Sequence, residues 1–337
     1  MIASRTGRSL SIGCESSRSL GDGEGRILRA MDEDRLVGVI PNFSEGRRTD
    51  VIQSIVGALG VPGARVVYAE ADPDHNRLDT TVLGAPPAVC ASAMAGSAEA
   101  IRLIDMFEHH GGHPRMGAVD VIPFMPVLGV SMDDCVALAR DFGRELAETL
   151  GVPVYLYDRA ALSSERASLA EVRRGEFEGL REAVARGERL PDFGPREIGR
   201  AGATAVGARK PLVAFNVYLN GHDEDVAKQV AREVRESSGG LPSVRAIGFA
   251  VPERGGIVTV SMNLVDHEVT GIRSAFEAVA KGAAGRGMVI TDTEIVGLVP
   301  ESALDLDDVA YLRLEGFDPD KQILERLVAT AEEERTT

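Results

Sequence analysis

Cysteine is scarce in this chain of 337 residues, which has cysteines only at positions 14, 90 and 135. They form no Cys-X-X-Cys pair, and Cys90 and Cys135 fall within helical patterns. A disulfide framework and a cysteine-based metal motif are therefore not indicated. The cysteine pattern predicts free, buried thiols in a reducing compartment.

A long apolar run and an excess of positive charge are missing as well. No segment approaches the roughly 20 apolar residues that cross a membrane, and no signal peptide is visible. The chain carries 37 basic and 52 acidic residues, a formal net charge of −15. Because nucleic-acid binding needs a basic face, we predict a cytoplasmic protein that binds neither nucleic acids nor membranes. A small anionic ligand remains compatible, since a local cationic cleft can exist on an acidic protein.

The most informative segment that is present runs from His109 to Arg115 and contains three histidines and one arginine. Its Gly-Gly pair permits tight backbone conformations, and Pro114 fixes the chain next to His113. An imidazole beside a permanent cation suits acid/base chemistry on an anionic substrate. His109 and His113 have the spacing of a zinc-binding helix, but Gly and Pro disfavour a helix there and no acidic or cysteine partner is near. We expect no metal, and a purely structural loop is the alternative.

Residues 1–35 are rich in Ser, Arg and Gly and show no sustained hydrophobic period. This composition predicts a disordered N-terminal extension. Met31 is a candidate start of the protein, because the first strand pattern begins at Leu36.

Beyond residue 35, the hydrophobic periodicity predicts the same order of elements, βαββαβ, twice. The first set is predicted at 36–40, 48–59, 64–70, 78–83, 87–103 and 119–124. The second set is predicted at 212–219, 223–236, 245–251, 257–264, 270–285 and 289–296.

Between the two sets, capping-box patterns at Ser131–Asp134 and Ser168–Glu171 predict two helix starts, and 152–157 is a predicted strand of the first sheet. The Gly- and Ala-rich stretch 199–207 has no clear periodicity and indicates a domain boundary. We predict an α+β fold of two ferredoxin-like subdomains, 36–207 and 208–330, with extra helices and a strand in the first. A groove between the subdomains is the expected ligand site.

Four further loops or strands could contribute to a site. The strand-to-helix turn 41–48 could hold a carboxylate through its side chains and helix amides, although a simple helix cap is equally consistent. The hairpin turn 72–77 has ordinary turn chemistry. The segment 194–210 offers cations around glycines, and a solvated linker is its alternative. Polar residues alternate along 261–264, on a face that either borders a ligand or faces solvent.

Many ordered motifs give the chain a resemblance to the glutamate formimidoyltransferase family. They run in family order from about Leu36 to Leu304. The matching stretches are 40–46, 76–77, 103–106, 113–118, 153–157, 174–176, 191–195, 202–205, 207–209, 214–216 and 295–300.

The resemblance implies transfer of a formimino group from N-formimino-L-glutamate to N5 of tetrahydrofolate, releasing glutamate, in histidine breakdown and one-carbon metabolism. Tetrahydrofolate would be a co-substrate. The resemblance also implies two ferredoxin-like subdomains with folate between them, and a homodimer. The chain ends without the cyclodeaminase half of bifunctional relatives, so we expect that activity to belong to another protein.

By the same resemblance, the catalytic acid/base histidine corresponds to His113, and the folate-binding stretch corresponds to 194–202. Together with the loops described above, this gives a set of predicted substrate and folate contacts. They are Asn42, Ser44, Arg77, Arg115, Gly194, Pro195, Arg196, Gly199, Arg200, Gly202, Ala203 and Thr204.

The chain departs from the family pattern at three places. Gly112 stands where the family has a glutamate, so a carboxylate is missing beside His113. Leu78-Asp79 replaces the usual Ser-Val or Thr-Val. The folate stretch is about one residue short and has Ala201 in place of an aromatic residue.

Two other functions stay open from the sequence. One is a related folate-dependent formyl or formimino transferase that acts on another amine in a biosynthetic pathway. The other is a non-catalytic folate-binding protein, which the altered residues near His113 would favour.

Overall fold

A computed structural model of the chain describes residues 35–73, 75–112 and 114–329. The predicted extension 1–35, apart from Arg35, lies outside these residues, and so does His113. Within the described ranges, no helix is both long enough and apolar enough to span a bilayer.

The first half of the described chain follows the predicted alternation of strands and helices. Its elements are β1 (Leu36–Val39), β2 (Asn42–Phe43), α1 (Thr49–Leu59), β3 (Ala64–Asp72), β4 (Arg77–Gly84), α2 (Pro86–Leu103), β5 (Val119–Leu128), α3 (Met132–Leu150), β6 (Val154–Asp158), a 3-10 turn (Ser164–Arg166), α4 (Leu169–Val172), α5 (Glu176–Ala185) and β7 (Thr204–Ala208).

The second half also follows the predicted order, with small shifts at the ends of its elements. They are β8 (Val213–Leu219), α6 (Glu224–Val234), β9 (Val244–Val251), β10 (Ile257–Leu264), α7 (Ile272–Ala284), β11 (Ile290–Val296) and α8 (Pro319–Gln322), with 3-10 turns at Glu236–Ser238, Pro252–Arg254, Glu301–Ala303 and Leu306–Asp308. Residues 324–329 are again helical.

The strands form two sheets, which confirms the α+β class. The first sheet has the order β3–β4–β1/β2–β5–β7–β6, where β1 and β2 both lie between β4 and β5. Its β5–β7 and β7–β6 pairs are parallel and the others antiparallel. The second sheet, β11–β8–β10–β9, is antiparallel throughout. If β1 and β2 are counted as one strand and the added β6 and β7 are set aside, both sheets place the second, third, first and fourth strands of their half side by side.

Each sheet has its own hydrophobic core, and alternation along the strands decides which side chains enter it. In β10, Val258, Val260 and Met262 are buried in the second core, whereas Asn263 is exposed on the opposite face. A third, smaller cluster joins the halves, because Leu324 and Val328 from the end of the described chain pack with Leu36, Leu83 and Met125 of the first half.

The stretch 199–207, which the sequence indicated as a domain boundary without clear periodicity, contains a strand in its second part. Residues Thr204–Ala208 form β7, a fully buried strand between β5 and β6. A parallel strand covered on both faces loses the alternation that reveals a half-exposed strand. Small residues are required here, since a Cβ on Gly207 would lie 2.5 Å from the Tyr157 ring.

Only one of the two predicted capping boxes is present. At the start of α3, the Ser131 hydroxyl accepts from the Asp134 amide at 3.1 Å, and the Asp134 carboxylate accepts from the Ser131 amide at 3.0 Å. Ser168 precedes the four-residue helix α4 and makes no side-chain capping bond. The helix start predicted at Ser168 is confirmed, but it lacks the capping bonds, and the helix ends after one turn.

Gly117 and Gly202 provide a sharp test of this fold, because their backbones touch. Gly202 has φ +72°, and an added Cβ would lie 2.3 Å from the Met116 carbonyl oxygen. Gly202→Ala should therefore lower the free energy of unfolding by about 2–5 kcal/mol, from left-handed strain plus overpacking. Chemical denaturation of the variant and the wild type measures this difference.

Gly187→Ala is the matched control, because Gly187 has φ +73° but an added Cβ there would meet no atom within 4 Å. It should lose only about 1–2 kcal/mol from the left-handed backbone. Equal losses in the two variants would contradict the close backbone contact at Gly202.

Candidate active site

Three loops meet at Asn76, which lies in the hairpin turn between β3 and β4. Its backbone is left-handed, with φ +50°, and the residue is buried. Its side-chain oxygen accepts from the Gly46 amide at 2.8 Å, and its amide nitrogen donates to the His110 carbonyl at 2.9 Å. The turn that looked ordinary in sequence is therefore the junction between the loop before α1 and the histidine-containing segment.

Two further contacts fix the histidine-containing segment at this junction. Arg47 donates to the His110 carbonyl at 3.1 Å and to the Pro73 carbonyl at 2.7 Å. Gly111 lies so close to the turn that a Cβ there would be 2.4 Å from the His75 carbonyl oxygen. Arg47 is thus engaged with backbone carbonyls of the protein itself.

Arg115, a predicted substrate contact, is buried, and all five of its N–H groups have acceptors in the protein. Its two terminal nitrogens hold Glu178 in a bidentate pair at 2.7 and 2.9 Å, and one of them also donates to Glu176 at 2.7 Å. The remaining N–H groups donate to the carbonyl and to Nδ1 of His109, at 3.2 and 3.4 Å. A guanidinium has five such donors, so none is left over in this arrangement.

His109 is held in one tautomer by its neighbours. Its Nδ1 faces the Nε–H of Arg115, which can only donate, and its Nε2 lies 3.1 Å from the Asn76 carbonyl, which can only accept. The proton therefore sits on Nε2. Burial, opposed in part by the bond to Asn76, lowers the pKa of His109 from its usual value near 6.5. This neutral, buried ring supports the segment rather than facing a substrate.

The loop before α1 is organised by an internal carboxylate. Glu45 is buried and accepts from the backbone amides of Arg47 and Arg48, both at 2.9 Å. Ser44, also buried, donates its hydroxyl proton to the Gly117 carbonyl at 2.8 Å. This loop was predicted to hold the carboxylate of a ligand. For the amides of Arg47 and Arg48, the protein's own Glu45 supplies that carboxylate instead.

Asn42 and Arg77 lie together on the sheet face that looks toward the second half. Both contact Asp79, with distances of 2.9 Å from the Asn42 amide nitrogen and 3.3 Å from an Arg77 terminal nitrogen to the carboxylate. All three line a cavity of about 220 Å³ whose far side is formed by Ala214, Asn263 and Val296–Pro300. The structure thus brings two of the predicted contacts together at an interface of the halves.

A second cavity, of about 480 Å³, is acidic. Four carboxylates and one guanidinium line it: Glu70, Asp72, Asp79, Glu294 and Arg77. Gly112 lies at its edge, and Asn216, Tyr218 and Phe249 enter from the second half.

A third cavity, of about 670 Å³, is cationic. Five basic and three acidic residues line it: Arg159, Arg173, Arg209, Lys210, Arg245, Asp158, Glu176 and Asp266. Pro114 lies at its edge. The residues on either side of His113 in the chain therefore border cavities of opposite charge.

Two arginines of the cationic cavity come from opposite halves. Arg159 follows β6 and Arg245 lies in β9, and both are exposed. Across the described chain, neither guanidinium has an ion-pair partner, whereas Lys210 pairs with Asp266 and Glu268 at 2.9 and 2.7 Å. Arg159 and Arg245 are functional candidates that the sequence analysis missed, because no local pattern reveals which exposed arginines from distant parts of the chain line one cavity.

Asp158 lies among these arginines at the end of β6. Its backbone is left-handed, with φ +55°, and its burial raises the pKa of the carboxyl, while the bond from the Arg159 amide and the charges of Arg209 and Arg245 act in the opposite direction. A half-buried carboxyl in a strained backbone conformation is typical of a functional site.

The predicted folate stretch, 194–202, forms backbone hydrogen bonds with residues on both sides of the histidine-containing segment. It contributes to none of the three cavities. Arg200 accepts from the Met106 amide through its carbonyl at 2.8 Å, and Ala201 accepts from the Ala118 amide at 2.8 Å. Of the predicted contacts here, five are exposed: Gly194, Pro195, Arg196, Gly199 and Arg200. The other three are buried: Gly202, Ala203 and Thr204.

Comparison with known proteins identifies the class to which this architecture belongs. The N-terminal subdomain of the formiminotransferase domain matches residues 36–209, and the formiminotransferase domain matches 214–317. The chain therefore belongs to the formiminotransferase family, which confirms the resemblance found in its motifs.

Comparison with individual relatives supports the same family assignment. The chain is 43% identical to the glutamate formimidoyltransferase of Thermoplasma acidophilum, over 88% of this chain and 98% of that protein. It is 41% identical to the glutamate formimidoyltransferase of Streptococcus pyogenes serotype M1, over 86% and 98%. It is 44% identical to the formimidoyltransferase-cyclodeaminase of Sus scrofa over 82% of this chain, and the match spans about half of that protein, 52%.

The depressed pKa of His109 predicts a specific dependence of stability on pH. The unfolded chain takes up a proton near pH 6.5, whereas the folded chain resists it until lower pH. The contribution of His109 is therefore fully present above about pH 6.5 and is lost as the pH falls toward its folded pKa. Unfolding free energies measured between pH 7 and 5 should decline less steeply in His109→Gln than in the wild type.

Gln offers a donor and an acceptor but does not titrate in this range. His222→Gln is the control, because His222 is exposed and makes one ring contact, at 2.9 Å to the Gly256 carbonyl. Parallel pH profiles of His109→Gln and the wild type would contradict the buried, neutral state of His109.

Proposed function

We propose that this chain transfers the formimino group of N-formimino-L-glutamate to N5 of tetrahydrofolate and releases glutamate, in histidine degradation. Membership of the formiminotransferase family is the observation that carries the proposal. The cavities add physical support, because the donor has an amidine, which is cationic at neutral pH, and two carboxylates. An acidic cavity and a cationic cavity on the two sides of one segment suit these opposite charges.

The proposal includes an architecture. The two halves would be ferredoxin-like subdomains, 36–207 and 208–330, following the extension 1–35, with the substrates in the groove between them. The matching strand orders of the two sheets and their separate cores support this division. We further propose a cytoplasmic homodimer that uses tetrahydrofolate as co-substrate, without a metal, and binds neither nucleic acids nor membranes.

His113 is the proposed acid/base group. The amine of the reduced folate attacks the amidine carbon and forms a tetrahedral adduct. The folate nitrogen must then lose a proton and the departing glutamate nitrogen must gain one. One imidazole can take the first proton and deliver the second, a contribution of about a hundred- to ten-thousandfold. Gly112 lines the acidic cavity and Pro114 lines the cationic cavity, which supports the assignment of this role to the histidine-containing segment.

The predicted contacts divide by exposure and by whether they line a cavity. Asn42 and Arg77 line a cavity between the halves, and we propose that they contact substrate directly from the sheet. We propose that the exposed residues Gly194, Pro195, Arg196, Gly199 and Arg200 contact folate. Ser44, Gly202, Ala203 and Thr204 are buried and would act by holding the adjoining backbone. The sequence also predicted a contact between Arg115 and a substrate carboxylate, and the role of this residue is considered further below.

The assignment is tested with one preparation of the full chain, assayed for turnover and for folate binding. With tetrahydrofolate and formiminoglutamate, we expect 5-formiminotetrahydrofolate and glutamate in equal amounts. Turnover only with another formimino or formyl donor or acceptor would indicate the biosynthetic alternative. Folate binding by calorimetry without turnover of any donor in the panel would indicate a binding protein.

His113→Ala should lower kcat at least about a hundredfold while folate affinity changes far less, because a proton shuttle acts mainly in the transition state. His110→Ala is the matched control, since His110 holds its neighbours through its carbonyl and the substitution keeps that group. Steady-state kinetics and folate titrations measure both effects. Near-normal turnover in His113→Ala together with a large loss in His110→Ala would assign the catalytic role to His110.

The cationic cavity leads to a second kinetic expectation. Arg245→Gln should raise the KM for formiminoglutamate roughly ten- to a hundredfold, because a charged hydrogen bond to a carboxylate contributes about 1.5–3 kcal/mol. Arg232→Gln, on the exposed face of α6, makes the same change in net charge away from the cavity. An unchanged KM in Arg245→Gln, or an equal rise in Arg232→Gln, would exclude a direct contact between Arg245 and the donor.

A further inference from the structure

Arg115 joins the histidine-containing segment to the start of α5 through both its side chain and its backbone. Its guanidinium holds Glu176 and Glu178 in the first turn of that helix. Its carbonyl accepts from the Phe177 amide at 2.9 Å. The side chain and the backbone of Arg115 are therefore both bound to one helical turn, which lies more than 60 positions away in sequence.

The same guanidinium reaches the other end of the segment. It donates to the carbonyl and the ring of His109, six residues earlier in the chain. Residues 109 and 115 are thus linked across the stretch that contains His113. Because His109 is in turn bound to the Asn76 carbonyl, the link continues to the junction of the three loops.

A substrate carboxylate would find no vacant donor on Arg115. The side chain is only 8% exposed, and binding a further anion would require displacement of the bidentate Glu178. That pair lowers the pKa of Glu178, mainly through its bonds to Arg115, so the carboxylate is ionised and competes fully at neutral pH. A bidentate pair between Arg and a carboxylate is also the strongest arrangement that Arg forms with an anion.

We propose that Arg115 is a positioning residue, which holds both ends of the 109–115 segment against α5 and thereby sets the place of the catalytic imidazole, rather than a ligand for substrate. This inference rests on the proposed function for its kinetic consequences, but not for the structural ones. Lys cannot reproduce the link, because an ammonium lacks the planar set of five donors.

Kinetics of two variants separate positioning from substrate binding. For a positioning residue, Arg115→Lys should lower kcat on the order of 10- to 100-fold, since small displacements of a catalytic group are costly, with each KM changed less than about threefold. Glu178→Gln should also lower kcat, but by a smaller factor than Arg115→Lys does. For a substrate ligand, Arg115→Lys would mainly raise the KM for the carboxylate-bearing substrate, and Glu178→Gln would lower that KM by freeing the guanidinium.

Arg286→Lys and Glu233→Gln form the matched control pair. Arg286 also holds a glutamate with two terminal nitrogens, at 2.5 and 3.1 Å, but between α6 and α7 of the second half. Neither control should change kcat. Loss of the Arg115 pair should leave the fold intact, because Glu176 and Glu178 are already 42% and 58% exposed and remain solvated without the cation.

Hydrogen exchange gives a readout that does not depend on activity. Backbone amides of 109–118 and 175–178 should exchange faster in Arg115→Lys than in the wild type, and those segments should be unchanged in Arg286→Lys. Unchanged exchange in Arg115→Lys, or an effect confined to KM, would overturn the positioning role. If the wild type shows no formimino transfer, the proposed function fails, and the exchange data still decide whether Arg115 holds the segment.

Discussion

Contact between irregular backbone segments is the constraint on which the rest of this site depends. The segment that precedes β5 touches the turn at Asn76 on one side and the chain entering β7 on the other. Gly111, Gly117 and Gly202 leave no space for a Cβ at these contacts. Backbone groups brought this close must be paired, and the amides of Ala118 and Ala203 find carbonyls across the contact. The described parts of this segment therefore take their position from the turn at Asn76 and from the chain that enters β7.

The charge distribution follows from the way the two sheets face each other. Side chains that alternate away from each core line the space between the halves, so that polar residues of β3 and β4 oppose those of β8 and β11. Gly112 of the histidine-containing segment lines the acidic cavity and Pro114 lines the cationic one, although the chain as a whole carries a charge of −15. Local potential in a cleft is set by its lining and not by net charge. An acidic protein can therefore bind a dicarboxylate and an amidinium in adjacent cavities.

Much of the fold could be predicted from the sequence, because most strands are half-buried and alternate visibly. β7 was missed for the opposite reason, since a strand buried on both faces and built from small residues resembles a flexible linker. The site was predictable only in part. Asn42 and Arg77 were identified and do line a cavity between the halves. The partners of Arg115 are 61 and 63 residues away, and no local pattern indicates that its donors are already used.

Two of the departures that the resemblance implies, at Gly112 and Asp79, fall in the lining of the acidic cavity. By that resemblance, Gly112 lacks a carboxylate of the family pattern, and Asp79 adds one where the pattern has a neutral side chain. Both residues line the acidic cavity, so these two positions contribute the same formal charge to it as in the family pattern. The new carboxylate is also paired with Asn42 and Arg77, which keeps both side chains oriented toward the groove. Because an amidinium responds to the summed potential of its surroundings, the loss at position 112 does not by itself remove the attraction of this cavity for a cationic group.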